Sequence, residues 1–242
     1  MNSSVTKAQA LVEIPVQSDT CDKLFSLSKQ VHPFLQHSTI ERAHCLSLSS
    51  ASSPLLALYN NLQHQHPHAG KAYWAHKCWQ LAIWQPLLLS LISIYALKTS
   101  FPLSKLKVAC LGASIYGYQI EIDKQYQGDS QSLIAHISAQ CLQLTQSFYR
   151  QISQLWPLKV KFCQRLMSDQ LLAGLAKVQV LVPGIDPIEF NKHTQLWLSG
   201  LELPNRSLRL HSDGEIVRDS CCLEYRLESV KYCSNCPKQR PQ

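Results

Sequence analysis

Helical periodicity dominates the chain. After Asp129, apolar residues recur at Leu133, Ile137, Cys141, Leu144, Phe148, Ile152 and Leu155, in steps of three or four, and Pro157 closes the run. That spacing lines one face of a helix, with Asp129 as its N-cap. A second helical pattern passes through Val160, Cys163, Met167 and Leu171. Asp186-Pro187-Ile188-Glu189 reads as N-cap, first-turn proline and capping-box glutamate, with Gly200 as the stop. Tyr73 to Leu97 predicts a further helix, or two joined at Pro86.

Period-two alternation is brief. Leu106, Val108 and Cys110 alternate with polar or small residues, and after a turn at Gly112 so do Tyr116, Tyr118, Ile120 and Ile122, which predicts a hairpin. The stretch Gly112-Ala-Ser114-Ile-Tyr-Gly117 misses the nucleophile-elbow spacing by one residue and belongs to that turn. A smaller hairpin is expected at Leu208 to Val217, turning on Asp213-Gly214. No internal repeat is visible, and the serine-rich piece from Ser47 to Ser53 is short enough for a loop.

Within the long helix, Cys78 to Leu97 carries no formal charge over twenty residues, enough to span a bilayer. It also carries Gln80, Gln85, Ser90, Ser93 and Pro86. Each polar group would need a partner in lipid, so a core helix is the expectation. The N-terminal stretch lacks a basic run followed by an apolar core, so no secretory signal is expected and the predicted location is cytoplasmic, with at most peripheral membrane association.

Composition adds bounds. A chain of 242 residues with 45% apolar residues can bury one sizeable core and is not dominated by disorder. Charged residues make up only 16%; polarity comes instead from 23 Gln, as many as Lys and Arg together. The net charge of +7 is uneven: between Glu41 and Glu121 there is no acid, while Arg42, Lys71, Lys77, Lys98, Lys105 and Lys107 contribute +6. Such a run suits an anionic ligand or acidic partner, or is simply solvated. The basic residues are scattered and no nucleic-acid motif accompanies them, so no nucleic acid is expected. Dinucleotide and phosphate-loop glycine motifs are absent, which leaves no nicotinamide, flavin or nucleotide site in view.

Chemistry concentrates in the cysteines. Cys21, Cys45, Cys78, Cys110, Cys141 and Cys163 are isolated and read as small buried hydrophobes. His64, His66 and His68 alternate around Pro67; an exposed turn is the plainer reading, a metal site the other. Four more cysteines fall within sixteen residues, as Cys221-Cys222, ten residues, then Cys233-Ser-Asn-Cys236-Pro237. A Cys-x-x-Cys turn can offer two thiolates to one metal. A vicinal pair in extended chain cannot, because neighbouring side chains point to opposite faces, so the chain must turn at Cys221-Cys222. Three readings stand: an iron–sulfur cluster, structural zinc, or thiol chemistry. Arg218, Arg226, Lys231 and Lys238 lie within or beside the loop and either offset the charge of four thiolates or are solvated away from the sulfurs. The predicted class is α+β: a mainly helical domain with a small antiparallel sheet over residues 1–204, and a cysteine-ligated segment over 205–242.

The Cys-Cys-x10-Cys-x2-Cys pattern, with Pro237 after the final cysteine, resembles the siderophore–iron reductases of the FhuF type. The resemblance covers about the last twenty residues and no motif upstream. It implies a [2Fe-2S] cluster held by Cys221, Cys222, Cys233 and Cys236. It implies an oxidoreductase that reduces ferric siderophore by single electrons in the cytoplasm, loaded by an external donor such as a ferredoxin or a reductase system. Nothing else carries over, so substrate-binding residues stay unassigned. An iron–sulfur electron carrier or sensor, and a zinc-stapled binding protein without catalysis, are the alternatives.

Overall fold

The structure is a computed structural model and describes residues 10–17, 19–39, 45–48, 53–211, 215–228 and 230–239. Its axis is α3 (Lys71–Tyr95), which is apolar on every side and therefore buried by neighbours all round. Around it pack α1 (Thr20–Val31), α2 (Ser53–Gln65), α4 (Ser130–Leu155) and α5 (Val160–Leu181), while α6 (Pro187–Gly200) closes over α4. One core runs through all of these elements.

Helix α3 passes through Pro86 unbroken. It is long and apolar enough to cross a membrane, but 83% of its most apolar window is buried inside the protein. Three of its buried polar side chains donate there, while Gln85 Oε1 finds no partner among the described residues. Gln85 donates to the Phe34 carbonyl at 3.1 Å, Ser90 to the Pro86 carbonyl at 2.7 Å and Ser93 to the Thr99 carbonyl at 2.5 Å. A buried hydroxyl or amide without such a bond costs on the order of 1–3 kcal/mol, so these bonds suit a helix built for a protein core.

The other helices begin where the sequence places them. Asp129 caps α4 by accepting from the Ser132 N–H at 2.7 Å, and Asp186 caps α6 by accepting from Ile188 and Glu189 at 2.9 and 3.0 Å. The Glu189 carboxylate lies 3.6 Å from His193 one turn on. Gly200 does more than stop α6: a Cβ there would come within 2.2 Å of Ser138 Oγ on α4, so the two helices meet at a bare backbone.

Strand β2 (Cys45–Ser47) pairs with β3 (Lys107–Leu111), which turns at Gly112 into β4 (Ser114–Gln119), all antiparallel. The register shifts between Val108 and Cys110, and this irregularity changes the expected alternation. Val108, Ala109 and Cys110 are all buried, and on β4 the inward residues are Ile115 and Tyr118, with Tyr116 only partly covered. A second, two-stranded sheet joins β1 (Val12–Ile14) to β5 (Gln125–Gln127). The smaller hairpin is reduced to one bridge between Leu210 and Ile216, flanked by a bond from Val217 N–H to the Arg209 carbonyl at 2.8 Å. Its Asp213-Gly214 turn lies outside the described residues, as do Arg42 and residues 49–52 of the serine-rich piece.

The six isolated cysteines behave as small hydrophobes. Cys45, Cys78, Cys110, Cys141 and Cys163 are buried and Cys21 is partly so. Burial pushes the thiols of Cys110, Cys141 and Cys163 up to about 12, which leaves them protonated and inert.

The acid-free run does not gather on one face. Lys71 opens α3 and Lys98 lies beyond its far end, about 37 Å away along a helix of this length. Lys77 pairs with Glu224 and Lys105 with Asp123.

Candidate metal centre

The last described segment has little regular structure: two short 3-10 turns, at Glu224–Arg226 and Pro237–Gln239, joined by loops. Between them the four clustered cysteines meet in two pairs. Cys221 Sγ lies 3.8 Å from Cys236 Sγ, and Cys222 Sγ lies 3.6 Å from Cys233 Sγ. Each pair thus takes one sulfur from the vicinal dipeptide and one from the Cys-x-x-Cys turn. The turn demanded at Cys221-Cys222 is supplied by Leu223, which sits in the left-handed region at φ 65° and donates its N–H to Cys221 Sγ at 3.4 Å. That conformation costs a non-glycine residue roughly 1–2 kcal/mol. On the other side, the Cys236 N–H closes on the Cys233 carbonyl at 3.0 Å, and Pro237 opens the final 3-10 turn.

Two thiolates on one tetrahedral ion, each about 2.3 Å from it, have sulfurs about 3.8 Å apart. Both pairs match that separation. A single zinc would require all four sulfurs round one point, yet among the described residues no three His, Cys, Asp or Glu side chains converge in that way. Two ions, each holding one pair, suit the arrangement better. Cys221, Cys222 and Cys236 are buried and Cys233 is half-covered. Two of the thiols are held protonated: burial, then the neighbouring Cys222, pushes Cys233 up to about 11, and burial likewise raises Cys221. Only a bound cation would make four adjacent thiolates stable, so the donor set fits a metal cluster.

What aims this segment is a buried ionic hub that sequence reading missed. Asp169, in the middle of α5, is 2% exposed. Its Oδ1 accepts from Arg206 at 2.5 Å and from the Asp219 N–H at 3.0 Å, while Oδ2 accepts from the Ser220 N–H and hydroxyl at 2.8 and 2.5 Å. The two residues before Cys221 are therefore pinned to α5. Arg206 also donates to the Val217 carbonyl at 2.8 Å. One signal was there to be found: from Ser130 to Ile185 the chain has a single acid, and it is Asp169. A lone carboxylate in an apolar helix stripe needs a buried cation.

A second anchor joins the loop to α3. Tyr73 and Lys77 reach Glu224 at 3.4 and 2.5 Å, and Arg226 donates to the Ala69 carbonyl at 3.2 Å. Of the four basic residues noted in sequence, Arg218 is tied to the Asp169 hub. Its Nε lies 3.9 Å from Asp169 Oδ2, and although burial opposes its charge, the nearby Cys222 and Asp169 hold its pKa above the ordinary guanidinium value. Lys238 turns instead to the Tyr225 hydroxyl at 2.7 Å, over its ring. Arg226 supports the loop, and Lys231 is exposed. Of the histidines, His66 precedes and His68 lies within the 3-10 turn Pro67–Ala69, with His68 3.4 Å from Glu228 of the cysteine loop. That turn and Arg226–Val230 enclose a cavity of about 410 Å³ beside the cysteine loop.

Fold and site together define a four-cysteine centre stapled to a helical bundle. Residues 218–238 match the family model described as the FhuF 2Fe-2S C-terminal domain, a likeness that indicates a [2Fe-2S] cluster in this segment. The match spans the cysteine segment and stops short of α6. No solved structure matches the chain.

Proposed function

We propose that this protein is a cytoplasmic siderophore–iron reductase. The observation that carries the reading is the paired geometry of Cys221 with Cys236 and Cys222 with Cys233 inside a segment that matches a [2Fe-2S] domain. On it, those four residues are the cluster ligands, two to each iron. A bound [2Fe-2S] cluster supplies one electron at a time.

The chain's own residues do the rest. Asp169 and Ser220 hold the vicinal cysteines in place, and Arg218 offsets thiolate charge at Cys222. The buried positions of Cys221, Cys222 and Cys236 keep water from most of the centre, while half-covered Cys233 gives it one side toward partners. The cavity between the histidine turn and Arg226–Val230 is large enough to seat much of a small chelate against that loop. One electron from an external donor, a ferredoxin or a reductase system, leaves that donor oxidised and ends on the ferric ion of the bound siderophore. Oxygen ligands hold ferric iron tightly and ferrous iron far less well, so the metal is released and the siderophore survives intact.

The test starts from anaerobically purified protein, expected to hold about two iron and two sulfide per chain. The dithionite-reduced protein, freed of excess reductant, is mixed in a stopped-flow cell with ferric hydroxamate and ferric catecholate siderophores and a ferrous chelator. Cluster reoxidation with matching ferrous trapping is the expected outcome. Reoxidation no faster than an anaerobic blank with every chelate would remove the reductase and leave an electron carrier or sensor. Stoichiometric zinc in iron-replete, anaerobically produced protein would remove the cluster assignment itself.

A further inference from the structure

The two short turns that flank the cysteine pairs also build a surface of their own. Tyr225, three residues after Cys222, packs its ring against Tyr232, the residue before Cys233; their centroids are 4.9 Å apart and the rings are tilted by 32°. Lys238, two residues after Cys236, lies over the Tyr225 ring at 4.3 Å and donates to its hydroxyl at 2.7 Å. Tyr232 is 44% exposed, and Lys231 and Lys238 are exposed as well. The loop's two acids are engaged elsewhere, Glu224 with Lys77 at 2.5 Å and Glu228 with His68 at 3.4 Å. Glu215, near the second turn, accepts from Asn235 at 3.1 Å. None of Tyr225, Tyr232, Lys231 and Lys238 lines the cavity formed with the histidine turn.

An exposed aromatic pair rimmed by ammonium groups suits a small, transient protein contact, in which tyrosine supplies area and charge guides the encounter. It lies beside Cys233, the half-covered member of the four cysteines. A second copy of the same basic surface would be repelled from it, and an acidic partner drawn in. We propose that Tyr225, Tyr232, Lys231 and Lys238 form the docking face for an acidic one-electron carrier protein, set apart from the cavity that would seat the chelate. One electron leaves the carrier, which is oxidised, and enters this chain, which is reduced; no bond is made or broken. This deepens the reading of an externally loaded reductase and rests on its ligand assignment.

The experiment uses the full chain carrying its cluster, with iron counted for every variant, and a small acidic [2Fe-2S] ferredoxin as the probe. Isothermal titration calorimetry with the oxidised ferredoxin reads binding, and stopped-flow mixing with the reduced ferredoxin reads transfer. At low salt, Lys231→Glu combined with Lys238→Glu is expected to weaken binding about tenfold and to slow transfer about as much; salt of about 0.3 M should erase most of the difference. Tyr232→Ser is expected to weaken binding about fivefold at either salt. Reduction of these variants by dithionite should stay within about twofold of the parent, because a small reductant needs no docking face. Lys29→Glu combined with Lys177→Glu makes the same change in net charge elsewhere. Those lysines flank the residues of α1 and α5 that meet α3 at Ile92, about 28 Å along the helix from Tyr73. That pair should leave binding within about twofold. Equal weakening by the two charge reversals, or slower dithionite reduction of the patch variants, would overturn the docking face. So would ferredoxin binding that ignores salt, or a patch reversal that abolishes binding to phosphatidylglycerol vesicles and leaves ferredoxin binding unchanged. Where Lys238→Glu costs iron, Lys231→Glu against Lys29→Glu decides. Absence of iron from the unsubstituted protein removes the ligand assignment and the docking face with it. A loaded protein that no ferric chelate reoxidises removes the reductase and leaves the docking face standing.

Discussion

Asp169→Leu isolates what the buried hub contributes. The carboxylate is 2% exposed and takes hydrogen bonds from Arg206, Asp219 and Ser220, with the Arg206 side chain only 9% exposed. Removing the acid alone leaves the buried Arg206 guanidinium leaning on the more exposed Asp219 at 3.2 Å, and breaking a buried pair of this kind costs about 3–5 kcal/mol. For a chain of this size, 1 kcal/mol moves the melting temperature by about 2–4 °C, so the expected fall is about 6–20 °C. Replacing both partners, as Asp169→Leu with Arg206→Met, removes the stranded charge and should recover more than half of the loss. Thermal unfolding by circular dichroism, on cluster-free protein so that iron loss does not blur the transition, reads both variants. The reasoning is refuted if Asp169→Leu melts within about 2 °C of the parent protein, or if the double variant is no more stable than the single one.

Gly200→Ala is expected to destabilise although alanine is the better helix former. The new methyl meets Ser138 Oγ at 2.2 Å and Ser138 Cβ at 2.9 Å, and overpacking of this kind costs about 1–3 kcal/mol; an urea midpoint equal to or above the parent's would show that α4 and α6 separate freely. The melting temperature should also fall as pH drops below about 6.5, the ordinary histidine value. Burial lowers the pKa of His76, His136 and His193, so each is held neutral when folded and takes a proton more readily when unfolded. Their contribution is present above the unfolded value and lost on acidification below it; a flat profile from pH 7.5 to 5.5 would contradict it.

Much of the fold was legible because the signals are local. Asp129 and Asp186 announce helix starts through the same side-chain bond they make in the structure, and the apolar stripe of α4 is read straight from its spacing. Alternation located the β3–β4 hairpin and its buried Val108, Cys110, Tyr118 and Ile120 but missed Ala109 and Ile115, because a shift in register between two strands leaves no mark on either one alone. At the site, the cysteines stood out because metal chemistry restricts residue type and spacing together. The crossed pairing did not, since it depends on how a loop of ten residues folds back. Asp169 lies 52 residues before Cys221, and its partner Arg206 was one arginine among many. Long-range ionic pairing has no period, so only the solitude of the acid hinted at it.

On the proposed function, the placement of the centre suits electron exchange. The continuous apolar core includes none of Cys221, Cys222, Cys233 and Cys236, so the helices close without them. A cluster inside that core would be precisely held but far from any donor or acceptor; one on a free loop would be reachable but loosely aimed. This chain does neither. It sets the cysteines at the surface of the bundle and fixes them by polar bonds, from Asp169 on α5 and from Tyr73 and Lys77 on α3. Polar anchors of that kind are directional, so they hold a loop in one position where apolar contact would let it slide. The cost is a carboxylate and a guanidinium taken out of water. That cost is met where the chain needs accuracy most, at the two residues immediately before the vicinal cysteines.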